Sequence, residues 1–109
     1  MATYSELTLE QGASFSANVT VIDNYNQYMN LTNYTANSQM RKSYLATTAY
    51  DFTISITDAA NGKILLTMSS ANTANIKAGR YVYDLVIQDN TVKTRVVEGI
   101  VTVLPSVTR

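Results

Sequence analysis

Apolar and polar residues alternate with a period of two along most of the chain, the pattern of strands with one buried and one wet face. From Ser14 to Asp23, Phe15, Ala17, Val19 and Val21 fall on one face, and Ser14, Ser16, Asn18 and Thr20 on the other. Ala49 to Thr57 repeats this, with Tyr50, Phe52, Ile54 and Ile56 inward. Lys63 to Ser69 turns Ile64, Leu66 and Met68 inward, and Arg80 to Asp89 does the same with Tyr81, Tyr83, Leu85 and Ile87. The last run, Val92 to Leu104, ends with Val101 and Val103 inward. Two weaker strands are predicted at Glu6 to Glu10 and at Tyr34 to Lys42, the latter with Ala36, Ser38 and Met40 as its inner face.

Turn residues stand between these runs. Asp58-Ala-Ala-Asn61-Gly62 offers Gly62 for a positive φ, and Asp89-Asn90-Thr91 predicts a tight hairpin loop. Gly99 interrupts the alternation of the last strand, so a bulge is expected there. Ser70 to Gly79 carries Ser and Asn capping candidates, several Ala and a closing Gly, which predicts one or two helical turns crossing between sheets.

About seven short strands and one short helical turn predict an all-β, antiparallel β-sandwich, a single domain over residues 1–109. Two packed sheets are needed because every strand has an apolar face to bury. A closed barrel is the alternative architecture.

Composition narrows the chemistry. The 109 residues include no Cys and no His, which removes Cys–His and Ser–His catalysis and the ordinary zinc, copper and non-haem iron sites. Eight basic and eight acidic side chains cancel, so no long-range field draws the chain to nucleic acid or to an anionic membrane. Charged residues are 15%, against roughly 25% in an average soluble protein, and the polar surface is built instead from 15 Thr, 10 Asn and 9 Ser. Catalysis by two carboxylates is chemically conceivable. The eight acids are scattered singly, however, mostly at predicted strand ends and turns, and the expectation is no enzyme, no catalytic residues, no cofactor and no metal. The first residues lack a basic and apolar leader, and the longest apolar tract is far too short for a membrane span, so a soluble chain without a signal peptide is expected.

Several local constellations bear on function. Residues 24–37, rich in Asn and Tyr, are either a long polar loop or a contact surface anchored by Tyr25, Tyr28 and Met29. Val82 and Val86 point away from the inward set of their strand, and Ile100 joins them; either a local element or another subunit covers them. Open sheet edges offer a further mode of assembly. Asp23-Asn24-Tyr25-Asn26 and Asp89-Asn90 hold oxygen ligands but lack the acidic repeat of a calcium loop, and turn chemistry accounts for them. Met40-Arg41-Lys42-Ser43 is a basic spot too small for a nucleic-acid footprint. Asn18, Asn30 and Asn33 head glycosylation sequons, expected to be chance products of an Asn- and Thr-rich chain.

Ala78-Gly79-Arg80-Tyr81-Val82-Tyr83 resembles the corner of immunoglobulin-like domains, in which a Tyr bonds back to the backbone and locks the turn into a strand. Gly79, Tyr81 and Tyr83 form this structural corner, and Tyr83 stands where antibody domains carry a Cys. More widely, LTLEQGASFSANVTV, LTNYTANSQMRKS, IKAGRYVYDLVIQDN and VVEGIVTVLPSVTR resemble, in order and spacing, a family of small bacteriophage virion proteins with an immunoglobulin-like fold. Asn33 departs from a position where that family often has Gly, and Ile76-Lys77 from one where Pro is common. The resemblance implies a virion structural role at the tail or baseplate, acting through protein–protein contacts with other virion proteins and as a homo-oligomer in a symmetric assembly. A capsid decoration protein and a host-surface or glycan adhesion module are the alternatives. It also implies synthesis in the host bacterial cytoplasm, no nucleic-acid or membrane partner, and Arg109 as the natural end.

Overall fold

The computed structural model describes residues 3–22, 27–90 and 92–107. Its strands are β1 (Thr3–Tyr4), β2 (Leu7–Glu10), β3 (Phe15–Thr20), β4 (Thr35–Arg41), β5 (Ala49–Asp51), β6 (Thr53–Asp58), β7 (Lys63–Met68), β8 (Gly79–Gln88) and β9 (Lys93–Leu104). A 3-10 turn, Ala59–Asn61, precedes β7, and one α-helical turn, α1 (Ser70–Thr73), follows it. The larger sheet runs β9–β8–β4–β5, with β1 and β2 both on the free side of β9; the smaller runs β3–β7–β6. This is an immunoglobulin-like β-sandwich, with its N-terminal strands beside the last strand.

The alternation seen along the chain is the alternation of burial. Tyr81, Tyr83, Leu85 and Ile87 of β8 are buried, as are Ile64, Leu66 and Met68 of β7, and they meet in one hydrophobic core. An aromatic chain crosses between the sheets where no disulfide exists. Phe15 of β3 lies 5.7 Å from Phe52 between ring centroids, and Phe52 meets Tyr83 edge-on at 6.3 Å.

Four features differ from the expectations. Ala49 to Thr57 is two strands, not one: β5 pairs with β4 in the large sheet, and β6 with β7 in the small one. Phe52 is the joint, buried, with its amide donating to the Ser38 carbonyl (3.0 Å). Both sheets face one core, so a chain that changes sheet keeps its side-chain parity, and the alternation carries no sign of the switch. Secondly, β1 and β2 run parallel to β9, in a single register that matches Thr3 to Val97 and Leu7 to Val101. Thirdly, besides the expected helical turn at Ser70–Thr73, the Asp58–Gly62 turn winds into a short 3-10 turn, Ala59–Asn61. Finally, Gly99 is not a bulge. It pairs directly with Tyr83, and the register shift falls at Val96, between the pairs Leu85–Val97 and Val86–Arg95. Gly99 answers to a close approach instead, because a Cβ there would press into the Ser5 carbonyl.

The connections are tied down. Ser69 caps α1 by accepting from the Asn72 amide, and the buried Thr73 hydroxyl reaches the Ala13 carbonyl (2.9 Å). Gln11 Nε2 donates to the Ile76 carbonyl (2.6 Å), so the β2–β3 turn and the β7–β8 crossover hold each other. Gly62 has φ +69°, and a Cβ there would lie 2.6 Å from the Val21 carbonyl oxygen. Asn33, at φ +68°, is the one non-glycine with positive φ among the described residues. Asn tolerates that conformation better than most other side chains.

Candidate interaction surface

The corner residues Gly79, Tyr81 and Tyr83 lie at the start of β8. Tyr81 enters β8 buried, and its hydroxyl donates to the Lys77 carbonyl (2.7 Å). Gly79 has φ +142°, and a Cβ on it would stand 2.7 Å from Lys42 Nζ. Its absence lets the Lys42 ammonium lie over the Tyr81 ring, 4.9 Å from the centroid. Tyr50 meets the same ring edge-on at 6.1 Å. Tyr83 reaches across Gly99, and its hydroxyl donates to the Ser5 carbonyl (2.7 Å), fastening the N-terminal strand to the sheet. Burial raises the phenol pKa of both Tyr81 and Tyr83 above the ordinary tyrosine value.

The outer face of the large sheet holds Val82 and Val86, both half-buried. Pairing places Val82 between Arg41 and Ile100, and Val86 between Asn37 and Arg95. A polar belt crosses beside them. Gln39 Nε2 donates to Asp51 (2.7 Å), and Arg41 donates to Gln39 (3.1 Å) and to the Ala46 carbonyl (2.6 Å). Arg95 pairs with Asp84 and with Glu98, each at 3.3 Å. Two shallow hollows open on this face. One of about 260 Å³ is bordered by Arg41, Tyr44, Val82 and Asp84, and one of about 320 Å³ by Asn37, Val86, Gln88 and Lys93. Val82 thus lines one hollow and Val86 the other.

The Asn- and Tyr-rich segment is divided. Tyr25, with Asp23, Asn24 and Asn26, lies outside the described residues. Tyr28 is 61% exposed and bridges to Ile22. Met29 is half-buried against the core, its amide donating to the Val21 carbonyl (2.9 Å), and Leu31 beyond it is fully buried. The structure therefore separates Met29 from Tyr28 rather than offering them together. Asn30 is engaged locally, its side chain accepting from the Thr32 amide and hydroxyl. In the β8–β9 hairpin the Asp89 carboxylate accepts from the Val92 amide (2.9 Å), the work of a turn residue. Among the described residues, no three acidic side chains gather into a metal-binding group.

An adjacent exposed pair escaped the pattern reading. Tyr44 and Leu45, in the β4–β5 loop, are 63% and 94% exposed. Their signal is an adjacent aromatic and aliphatic pair set among small polar residues, in a stretch with no strand periodicity to bury it.

No protein-family model matches the sequence, and no curated protein sequence matches it. Solved structures do. The N-terminal domain of phage TP901-1 ORF48 superposes with a TM-score of 0.63 at 15% identity, over 92% of this chain and 85% of that one. Listeria monocytogenes InlP gives 0.46 at 10% identity, over 94% of this chain and 27% of that one. Murine CRIg gives 0.43 at 9% identity, over 93% and 92%. What the chain shares with the phage domain, along nearly the whole of both, is the fold.

Proposed function

We propose that this chain is a non-enzymatic structural module of a bacteriophage particle, set in the tail or baseplate, that works by binding other virion proteins and copies of itself. The observation that carries the reading is the likeness in fold to a phage domain over 92% of the chain. The ordered sequence resemblance to small virion proteins points the same way, and one of its matching pieces, Ala78 to Leu85, forms the fastened corner at the start of β8. The mechanism is mechanical. A sandwich pinned by Tyr81 and Tyr83 presents its outer face, loops and edges in fixed positions, and repetition in a symmetric assembly multiplies modest contacts. Synthesis in the host cytoplasm and incorporation there complete the reading.

Particles purified from infected cells test it. The chain is expected to co-sediment with them and to appear in their peptide mass spectra, and imaging of intact particles separates a tail part from a capsid decoration. Val82→Asp and Val86→Asp are expected to fold yet to lower incorporation. Absence of the chain from purified particles overturns the proposal. The exposure of Tyr28 and Tyr44 favours host-surface or glycan adhesion as a second reading, which loss of cell or glycan binding in Tyr28→Ala and Tyr44→Ala would support.

A further inference from the structure

A sandwich leaves sheet edges open, and this one has four. Three are blunted in ways that discourage added strands. The β1–β2 edge is broken at Ser5 and Glu6 and carries Glu6 and Glu10. β5 is three residues long and ends on Asp51. β6 loses register between Ile56 and Asp58 and closes on that carboxylate. β3 has none of these devices. It is six residues, Phe15 to Thr20, in unbroken register with β7, with no charge, no proline and no bulge. Among the described residues no backbone hydrogen bond reaches it from the side away from β7.

The inward side chains of this strand are only partly covered. Ile64, Leu66 and Met68 of β7 are buried, whereas Phe15, Ala17 and Val19 beside them are half-buried. A further strand would continue the small sheet and close that layer.

We propose that the occupant is β3 of a second copy, the two strands running antiparallel about a two-fold axis through Ala17. The inference deepens the self-association put forward above and rests on that reading for its purpose. An isologous contact must complement itself, and Phe15-Ser-Ala-Asn-Val19 does so. Opposed residues in an antiparallel pair share a face. Pairing centred on Ala17 therefore sets Phe15 against Val19 of the second copy on the inner face. It sets Ser16 against Asn18 on the outer face and Ala17 against Ala17 on the axis. Large meets branched, hydroxyl meets amide, and the smallest side chain stands where identical residues come closest. No like charges meet, because the strand has none.

The chain has no cysteine, so Ala17→Cys introduces a single reporter. Directly opposed Cβ atoms lie roughly 4.5–5.5 Å apart, within a small adjustment of disulfide geometry. Under mild oxidation this variant is expected to form a covalent dimer about tenfold faster than Leu45→Cys, which sits on an exposed loop. On the unaltered chain, amide exchange in β3 is expected to slow with rising concentration while exchange in β6 does not change, a readout that holds even where the cysteine variant folds poorly. The proposal is overturned by a monomer in sedimentation equilibrium across a hundredfold concentration series with β3 exchange unchanged, or by equal cross-linking of the two variants. A monomer that still co-sediments with particles removes the β3 contact and leaves the virion reading intact; a dimer absent from particles does the reverse.

Discussion

Replacing Gly99 with alanine tests the clasp between the N-terminal strand and the sheet. Gly99 faces the core opposite Tyr83, and a Cβ there would overlap the Ser5 carbonyl oxygen and lie 2.8 Å from the carbonyl carbon. Ser5 is backbone, so the chain from Thr3 to Glu6 must move away. Two hydrogen bonds are lost with that movement: Tyr83 hydroxyl to Ser5 carbonyl (2.7 Å) and Ser5 amide to Glu98 carbonyl (2.9 Å). At about 1 kcal/mol net each they contribute about 2 kcal/mol. Displacing packed backbone adds about 1–3 kcal/mol, and the lower unfolded-state entropy of alanine returns about 0.4–1 kcal/mol. The expected loss is about 2–5 kcal/mol, a fall in Tm of roughly 10–20 °C for a domain of this size. Urea unfolding followed by circular dichroism and tyrosine fluorescence measures it. A double-mutant cycle then isolates the cause. Tyr83→Phe should cost about 1 kcal/mol in the native background and close to nothing beside Ala at 99, where its partner has already moved. The reasoning fails if Gly99→Ala falls within about 0.5 kcal/mol of the native chain, the ordinary range of an uninvolved site. It fails equally if Tyr83→Phe costs the same in both backgrounds.

Other outcomes follow from the same structure. Asn33→Gly should leave stability close to native, whereas Asn33→Val should cost about 1–2 kcal/mol, because only the β-branched side chain resists φ +68°; chemical denaturation distinguishes them. Phe52→Ala removes the ring that joins Phe15 to Tyr83 and should cost about 3–5 kcal/mol, a large part of the roughly 5–15 kcal/mol that holds a typical domain together. It should shift the urea midpoint further than any other single aromatic truncation. Stability should fall as pH rises through the ordinary tyrosine range. Tyr81 and Tyr83 have raised pKa values in the fold, so above about pH 10 the unfolded chain releases protons that the native chain still holds. Ultraviolet titration should find Tyr81 and Tyr83 among the late-ionising tyrosines, and Tyr83→Phe should make the alkaline loss shallower.

The period-two pattern determined much of this protein by itself. Side chains on a strand alternate between faces, so Tyr81, Tyr83, Leu85 and Ile87 could be assigned to the core from order alone, and burial follows that order. The Tyr81 hydroxyl acts on a carbonyl four residues away, within reach of a local reading, whereas the space that Gly79 leaves for Lys42 depends on a distant segment. Contacts between distant segments were not legible. Nothing in the alternation of Ala49 to Thr57 says that Phe52 passes from one sheet to the other, because both sheets bury the same face. Nor does Gly99 disclose that Ser5, ninety-four residues earlier, needs the space of its missing side chain. The core positions Leu31, Thr73 and Ile76 lie in connections with no period to mark them, and they are buried because other connections fold over them. Local patterning chose the strands and their inward faces. Which strands became neighbours, and which edge was left bare, depended on pairings between distant residues that only the packed sheets define.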